Sequence, residues 1–175
     1  MAKKQQSTIN RRDEIISAAI EVFAQEGYYR TSTAKVAEKA NISQPYIFKF
    51  FSSKELLLEE ALKVSWTRIQ TSFLQVIESA SATNLEENLI AAYTEIMKNN
   101  ENEILLQMQA QTIREENIIK VMKEELMKVR SIVLNAFKSS GITNPSERTL
   151  LFLARGMLCN ISLSLQLPQL MKIDD

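Results

Sequence analysis

Histidine is absent and Cys159 is the chain's single cysteine. Ser-His-Asp and Cys-His nucleophile systems, histidine general bases and every histidine-containing metal site are therefore excluded. Carboxylates occur as neighbours at Glu59-Glu60, Glu86-Glu87 and Glu124-Glu125. Adjacent residues on a helix point about 100° apart, so these pairs read as solvated faces, not as the acid and base of one site. No glycine-rich phosphate loop and no cluster with metal-ligand spacing is present, so neither a cofactor nor a metal is expected. Cys159 sits in the apolar run 150–165 and reads as a small buried residue, not a reactive thiol. What remains is hydroxyls, an amide, an aromatic ring and cations in the first third: Thr31-Ser32-Thr33, Ser43-Gln44-Pro45-Tyr46, Lys49 and Ser53-Lys54. The charge agrees with that placement. Residues 1–55 carry a net +3 and the remainder a net −3, so the overall zero conceals a basic N-terminal part of the kind that faces nucleic acid.

The elements that must position these groups are helical. The chain has 175 residues, 45% of them hydrophobic and 24% charged, with only 3 Gly and 3 Pro to punctuate turns. That composition predicts an all-α protein of one or two small domains with few connections. Ile15, Ile16, Ala19, Val22 and Phe23 recur at helical spacing over 12–26, and Gly27 supplies a left-handed stop. Hydroxyl caps at 31–33 open a short helix over 34–40 that points Val36, Ala37 and Ala40 inward. Asn41 tolerates the left-handed conformation of a tight turn, and Ser43 with Pro45 opens a third helix running through Ile47 to about Phe50. Ser52-Ser53-Lys54-Glu55 caps a long helix over 53–80. Further helices are predicted over 85–98, 101–113, 115–139 and 146–167. The first six residues are polar with no apolar stretch resembling a signal peptide behind them. Leu150 to Leu167 is broken by Arg155, Asn160 and Gln166, short of a membrane span. A cytoplasmic location with no membrane partner is expected.

Two short helices joined by a tight turn and preceded by a supporting helix form a helix-turn-helix. Ala18-Ala19, Phe23, Gly27-Tyr28, Thr31-Ser32, Val36-Ala37, Ser43, Phe48, Phe50-Phe51, Ser53-Lys54 and Leu57 stand in order and register. Over the first third the chain thereby resembles the DNA-binding domain of the TetR family of transcriptional regulators. It departs in carrying Asn41 for the usual turn glycine, Phe48 for the usual Tyr and Phe50 for the usual His. The resemblance implies a helix-turn-helix DNA-binding domain over 1–52 and a helical effector-binding and dimerisation domain over 53–175. It implies that the third helix enters the major groove, with Gln44 and Tyr46 at base edges beside Pro45. Ser32, Thr33, Ser43 and Lys54 would contact phosphate, and Lys49 would anchor the backbone in place of the lost groups.

The last two helices are too apolar for so small a body to surround, which predicts a two-fold dimer through a four-helix bundle that includes Ile132, Phe137, Leu153, Gly156, Met157, Asn160 and Leu163. Such a dimer suits a palindromic operator in double-stranded DNA. The resemblance further implies a pocket for a mostly apolar, neutral or cationic effector, with Trp66, Phe73, Tyr93, Met97, Met108, Gln111 and Met122 as its wall. Ligand would then favour a form in which the fourth helix carries the DNA-binding domains out of register, as in a repressor. An activator, a repressor with no effector, and a helical protein-interaction module that keeps the helix-turn-helix as scaffold are the alternatives.

Overall fold

The computed structural model describes residues 2–172; Met1 of the polar N-terminus lies outside the described residues, as do residues 173–175. Eight α-helices follow one another: α1 (Ala2–Glu26), α2 (Thr33–Lys39), α3 (Gln44–Ile47), α4 (Lys54–Ser79), α5 (Leu85–Asn99), α6 (Glu101–Ala110), α7 (Glu116–Ser139) and α8 (Pro145–Ser164). Single 3-10 turns occupy Ala82–Asn84 and Pro168–Met171, and there is no strand among the described residues. The all-α architecture is as the composition predicts.

Four boundaries differ from the sequence reading by more than one residue. The backbone of α1 begins at Ala2, ten residues before the apolar periodicity starts; the added segment is rich in helix formers but has no apolar face, so periodicity cannot register it. α3 is a single turn, and the chain continues through Phe51 by short backbone turns, Phe50 N–H and Phe51 N–H both donating to the Ile47 carbonyl at 2.9 and 3.0 Å. α6 stops at Ala110, and Thr112 and Ile113 follow in turns on the Gln109 and Ala110 carbonyls. α8 stops at Ser164 because Gln166 takes a left-handed φ of 52° and Leu167 N–H closes on the Ser162 carbonyl at 2.8 Å. The same closure ends α2, where Asn41 has φ 52° and Ile42 N–H bonds to the Ala37 carbonyl at 2.9 Å, and α7, where Gly141 has φ 69°.

The chain divides into two compact units, one of residues 1–65 with 105–122, the other of 66–104 with 123–175. The sequence cut at 52/53 marks the start of α4, but the first part of α4 packs with the helix-turn-helix. In the first unit, Ile15, Ala19, Phe23, Val36, Ile47, Phe51, Leu57, Leu58 and Leu62 form a closed core joined by Leu106, Ile113 and Ile118. Polar groups tie the later segment in: the buried Gln107 amide donates to Ser65 Oγ at 2.9 Å and the half-buried Gln109 amide to the Ala24 carbonyl at 2.6 Å. The second unit is built on Leu85, Leu89, Ile104, Val133 and an aromatic chain in which Phe73 and Phe137 both meet Phe152 edge-on, with centroids 5.7 and 6.0 Å apart.

The acidic neighbours are not simply solvated. Glu125 is buried, accepting from the Gln70 amide at 2.7 Å and from Lys128 Nζ at 2.6 Å. Glu103 is likewise buried against Arg68. Burial pushes the Glu60 carboxyl up, but hydrogen bonds from Lys63 and Arg12 outweigh it and hold the carboxyl below its usual range.

Candidate functional site

Ser32 is the N-cap of α2, its hydroxyl accepting from Lys35 N–H at 3.4 Å, and it is exposed. Thr33 is buried, and its hydroxyl accepts from the Gln44 side-chain amide at 2.8 Å. That bond fixes the first residue of α3 against the first residue of α2, so the turn is braced by the two side chains assigned to base and phosphate. Ser43 and Pro45 are exposed at the start of α3. Tyr46 is half-buried, packed edge-on against Phe50 with centroids 5.5 Å apart and capped by Lys49 Nζ 4.8 Å from its ring. Phe48 and Lys49 stand exposed beyond it, Phe48 with 49% of its surface free. One contiguous surface thus presents Ser43, Gln44, Pro45, Phe48 and Lys49.

Lys54, which the resemblance assigns to phosphate, already donates within the protein. Its ammonium donates to the Tyr28 and Thr31 carbonyls at 2.9 and 3.1 Å and lies 4.3 Å from the Tyr28 ring centroid. The helix cap belongs to Ser53, whose hydroxyl accepts from Leu56 N–H at 3.0 Å. Burial, then the charges of Glu115 and Glu55, push the Tyr28 phenol up.

The second unit holds a cavity of about 350 Å³, within the range of small-molecule sites. Of the residues expected at an effector pocket, Trp66, Phe73 and Tyr93 line this cavity. Met97 does not, and Met108, Gln111 and Met122 belong to the other unit. Ile69, Leu126, Met127, Arg130, Leu150 and Arg155 are wall residues that the sequence reading missed. Periodicity places them on helices but carries no sign of which helices enclose a void. Tyr93 donates to Asn160 Oδ1 at 2.7 Å, and burial pushes the Tyr93 phenol up to about 12. Burial also raises the Cys159 thiol, so this half-buried wall residue stays protonated.

Several residues expected at a dimer interface turn inward. Phe137 is 0% exposed, Asn160 is held by Tyr93, and a Cβ on Gly156 would lie 3.7 Å from Tyr93 Cε1. Leu153 and Met157 line the cavity, and Ile132 and Leu163 are half-buried. The face of α8 left outside is another one: Leu151, Leu158, Ile161 and Leu165 follow one another at helical spacing and all are exposed, with Ala154 at the edge shared with the cavity. No helix among the described residues is long and apolar enough to cross a membrane.

A capped helix, a left-handed turn and a Pro-started third helix over a closed core define a helix-turn-helix protein. Residues 15–61 match the family described as "Bacterial regulatory proteins, tetR family". The HTH-type transcriptional regulator HbdR of Aromatoleum sp. (strain CIB) is 40% identical over 53 residues, 30% of this chain and only 23% of that relative's length. A TetR-family transcriptional regulator from Bordetella parapertussis 12822 superposes with a TM-score of 0.70 at 19% identity, covering 87% of this chain and 82% of the other. The transcriptional regulator FadR from Bacillus subtilis, solved in complex with stearoyl-CoA, superposes with a TM-score of 0.64 at 19% identity, covering 89% and 97%. The chain therefore carries the N-terminal helix-turn-helix domain of the tetR family on a fold shared with TetR-family regulators.

Proposed function

We propose that this protein is a homodimeric DNA-binding transcriptional regulator, a repressor that leaves a palindromic operator when a small molecule binds its second unit. The observation that carries the reading is the tetR-family helix-turn-helix over 15–61, with an exposed face of Ser43, Gln44, Pro45, Phe48 and Lys49. Gln44 reads a base after exchanging its bond to Thr33 for one in the groove, Lys49 meets phosphate, and Phe48 supplies an apolar contact of the kind that packs on a thymine methyl. The exposed α8 stripe from Leu151 to Leu165 pairs with its symmetry mate, setting two such faces for the two halves of an operator.

The cavity supports the effector half of the proposal. α4 is one helix that contributes residues 54–65 to the first unit and 66–79, including cavity residues Trp66 and Phe73, to the second. A ligand that binds one of two forms about 1–3 kcal/mol better shifts operator affinity by roughly five- to 150-fold. The test is fluorescence anisotropy on labelled DNA from upstream of the protein's own gene against a shuffled copy, over a salt series. Native DNA should bind at least about a hundredfold tighter, with affinity falling steeply with salt. Equal, weak binding of both overturns the reading and leaves the fold as an interaction scaffold.

A further inference from the structure

The cavity of the second unit carries hydrogen-bond donors without acceptors and positive charge without negative. Trp66 is 7% exposed and lines the cavity, yet its indole Nε1–H is buried and meets no acceptor. A donor left so is costly and marks a place where an acceptor belongs. The Tyr93 hydroxyl engages the Asn160 amide through its oxygen, so the polar group that amide still offers is its nitrogen, again a donor. Arg130 of α7 and Arg155 of α8 line the same cavity, and neither has a hydrogen-bond or ion-pair partner among the described residues. No Asp or Glu lines it. Arg130 is half-buried and Arg155 exposed, so their stems cover apolar wall while their heads reach water. The rest of the lining is apolar side chains with Gly156, Cys159 and Thr94, whose hydroxyl donates to the Ile90 carbonyl at 2.9 Å.

Resting on the effector reading above, we infer that this cavity takes an amphiphilic anion: an unbranched or compact apolar body bearing one carboxylate. The carboxylate is met by Arg130 and Arg155 at the exposed side, with the Trp66 and Asn160 N–H groups completing its acceptor needs or those of an adjoining carbonyl. This reverses the neutral or cationic ligand expected from sequence, because two arginines without counter-charge repel a cation and leave a neutral molecule no ionic partner. Size follows from volume. At about 30 Å³ for a water-sized group, 350 Å³ holds roughly a dozen non-hydrogen atoms, the size of a medium-chain carboxylate.

The experiment titrates the full-length protein with decanoate, decan-1-ol and decylammonium, below their aggregation concentrations. Binding is followed by the fluorescence of Trp66, the chain's single tryptophan, and by calorimetry. Decanoate is expected to bind one per chain and at least about tenfold tighter than the other two. The double variant Arg130→Gln/Arg155→Gln should lose at least about tenfold for decanoate while holding decan-1-ol within about twofold. Equal or tighter binding of the alcohol or the ammonium, a decanoate affinity indifferent to the double variant, or no binding of decanoate up to its solubility limit overturns the inference. Adding decanoate to the protein–DNA complex separates the two readings. Binding that shows the arginine dependence but leaves DNA affinity unchanged overturns the effector role and keeps the carboxylate site; release of DNA supports both.

Discussion

Lys54 directs two of its three N–H donors to the Tyr28 and Thr31 carbonyls and lies over the Tyr28 ring. Lys54→Met removes both bonds, and urea denaturation should show stability lowered by about 1–3 kcal/mol; unchanged stability with only DNA affinity lost would leave Lys54 the phosphate role alone. Tyr93 offers a second test. Its pKa is raised by burial to about 12, so the folded state favours the neutral phenol. This contribution is fully present below the ordinary phenol value of 10.0 and is lost as pH rises through about 12. An ultraviolet titration of the folded protein should show a tyrosine ionising near 12 that disappears in Tyr93→Phe. Glu60 has the opposite sign: held low in the folded state, it stabilises above the ordinary carboxylate value of 4.5, and that contribution fades as pH falls through its lower folded value.

At the scale of elements, the left-handed turns decide where helices stop. Asn41 sits at φ 52° between α2 and α3. A β-branched residue is a true outlier there, so Asn41→Val should cost about 1–2 kcal/mol by thermal denaturation, whereas Asn41→Gly should be tolerated. These turns also mark what the sequence reveals. Gly27, Asn41 and Gly141 announce their helix ends through residue type, and the helix-turn-helix between them is legible residue by residue. Gln166 adopts the same conformation with no such signal, so the end of α8 is misplaced by three residues in the sequence reading. The burial of Glu125 is equally silent, because its partners Gln70 and Lys128 include one 55 residues away. α8 defeats periodicity for another reason. It is apolar around most of its circumference, and only packing separates the inner Phe152 and Asn160, the cavity-lining Leu153 and Met157, and the outer Leu151, Leu158, Ile161 and Leu165.

In the whole molecule, the proposed two-fold operator requires a dimer, and the outward α8 stripe is the surface that would form it. Leu165 is 66% exposed and Leu158 and Ile161 flank it on one face, an unusual outlay of apolar surface for a free subunit. Leu158→Glu/Ile161→Glu should convert a dimer to a monomer by light scattering and take operator binding with it, while Leu153→Ala, on the cavity wall, should leave the dimer intact. Two-fold DNA recognition is tested by selection from a random pool of duplex DNA by the full-length protein, followed by sequencing. The expected product is an inverted repeat whose half-sites lie about one helical turn or somewhat more apart, and its enrichment should be lost with Lys49→Ala. A pool that stays random, or that converges on a single unrepeated site indifferent to Lys49, would contradict two-fold recognition.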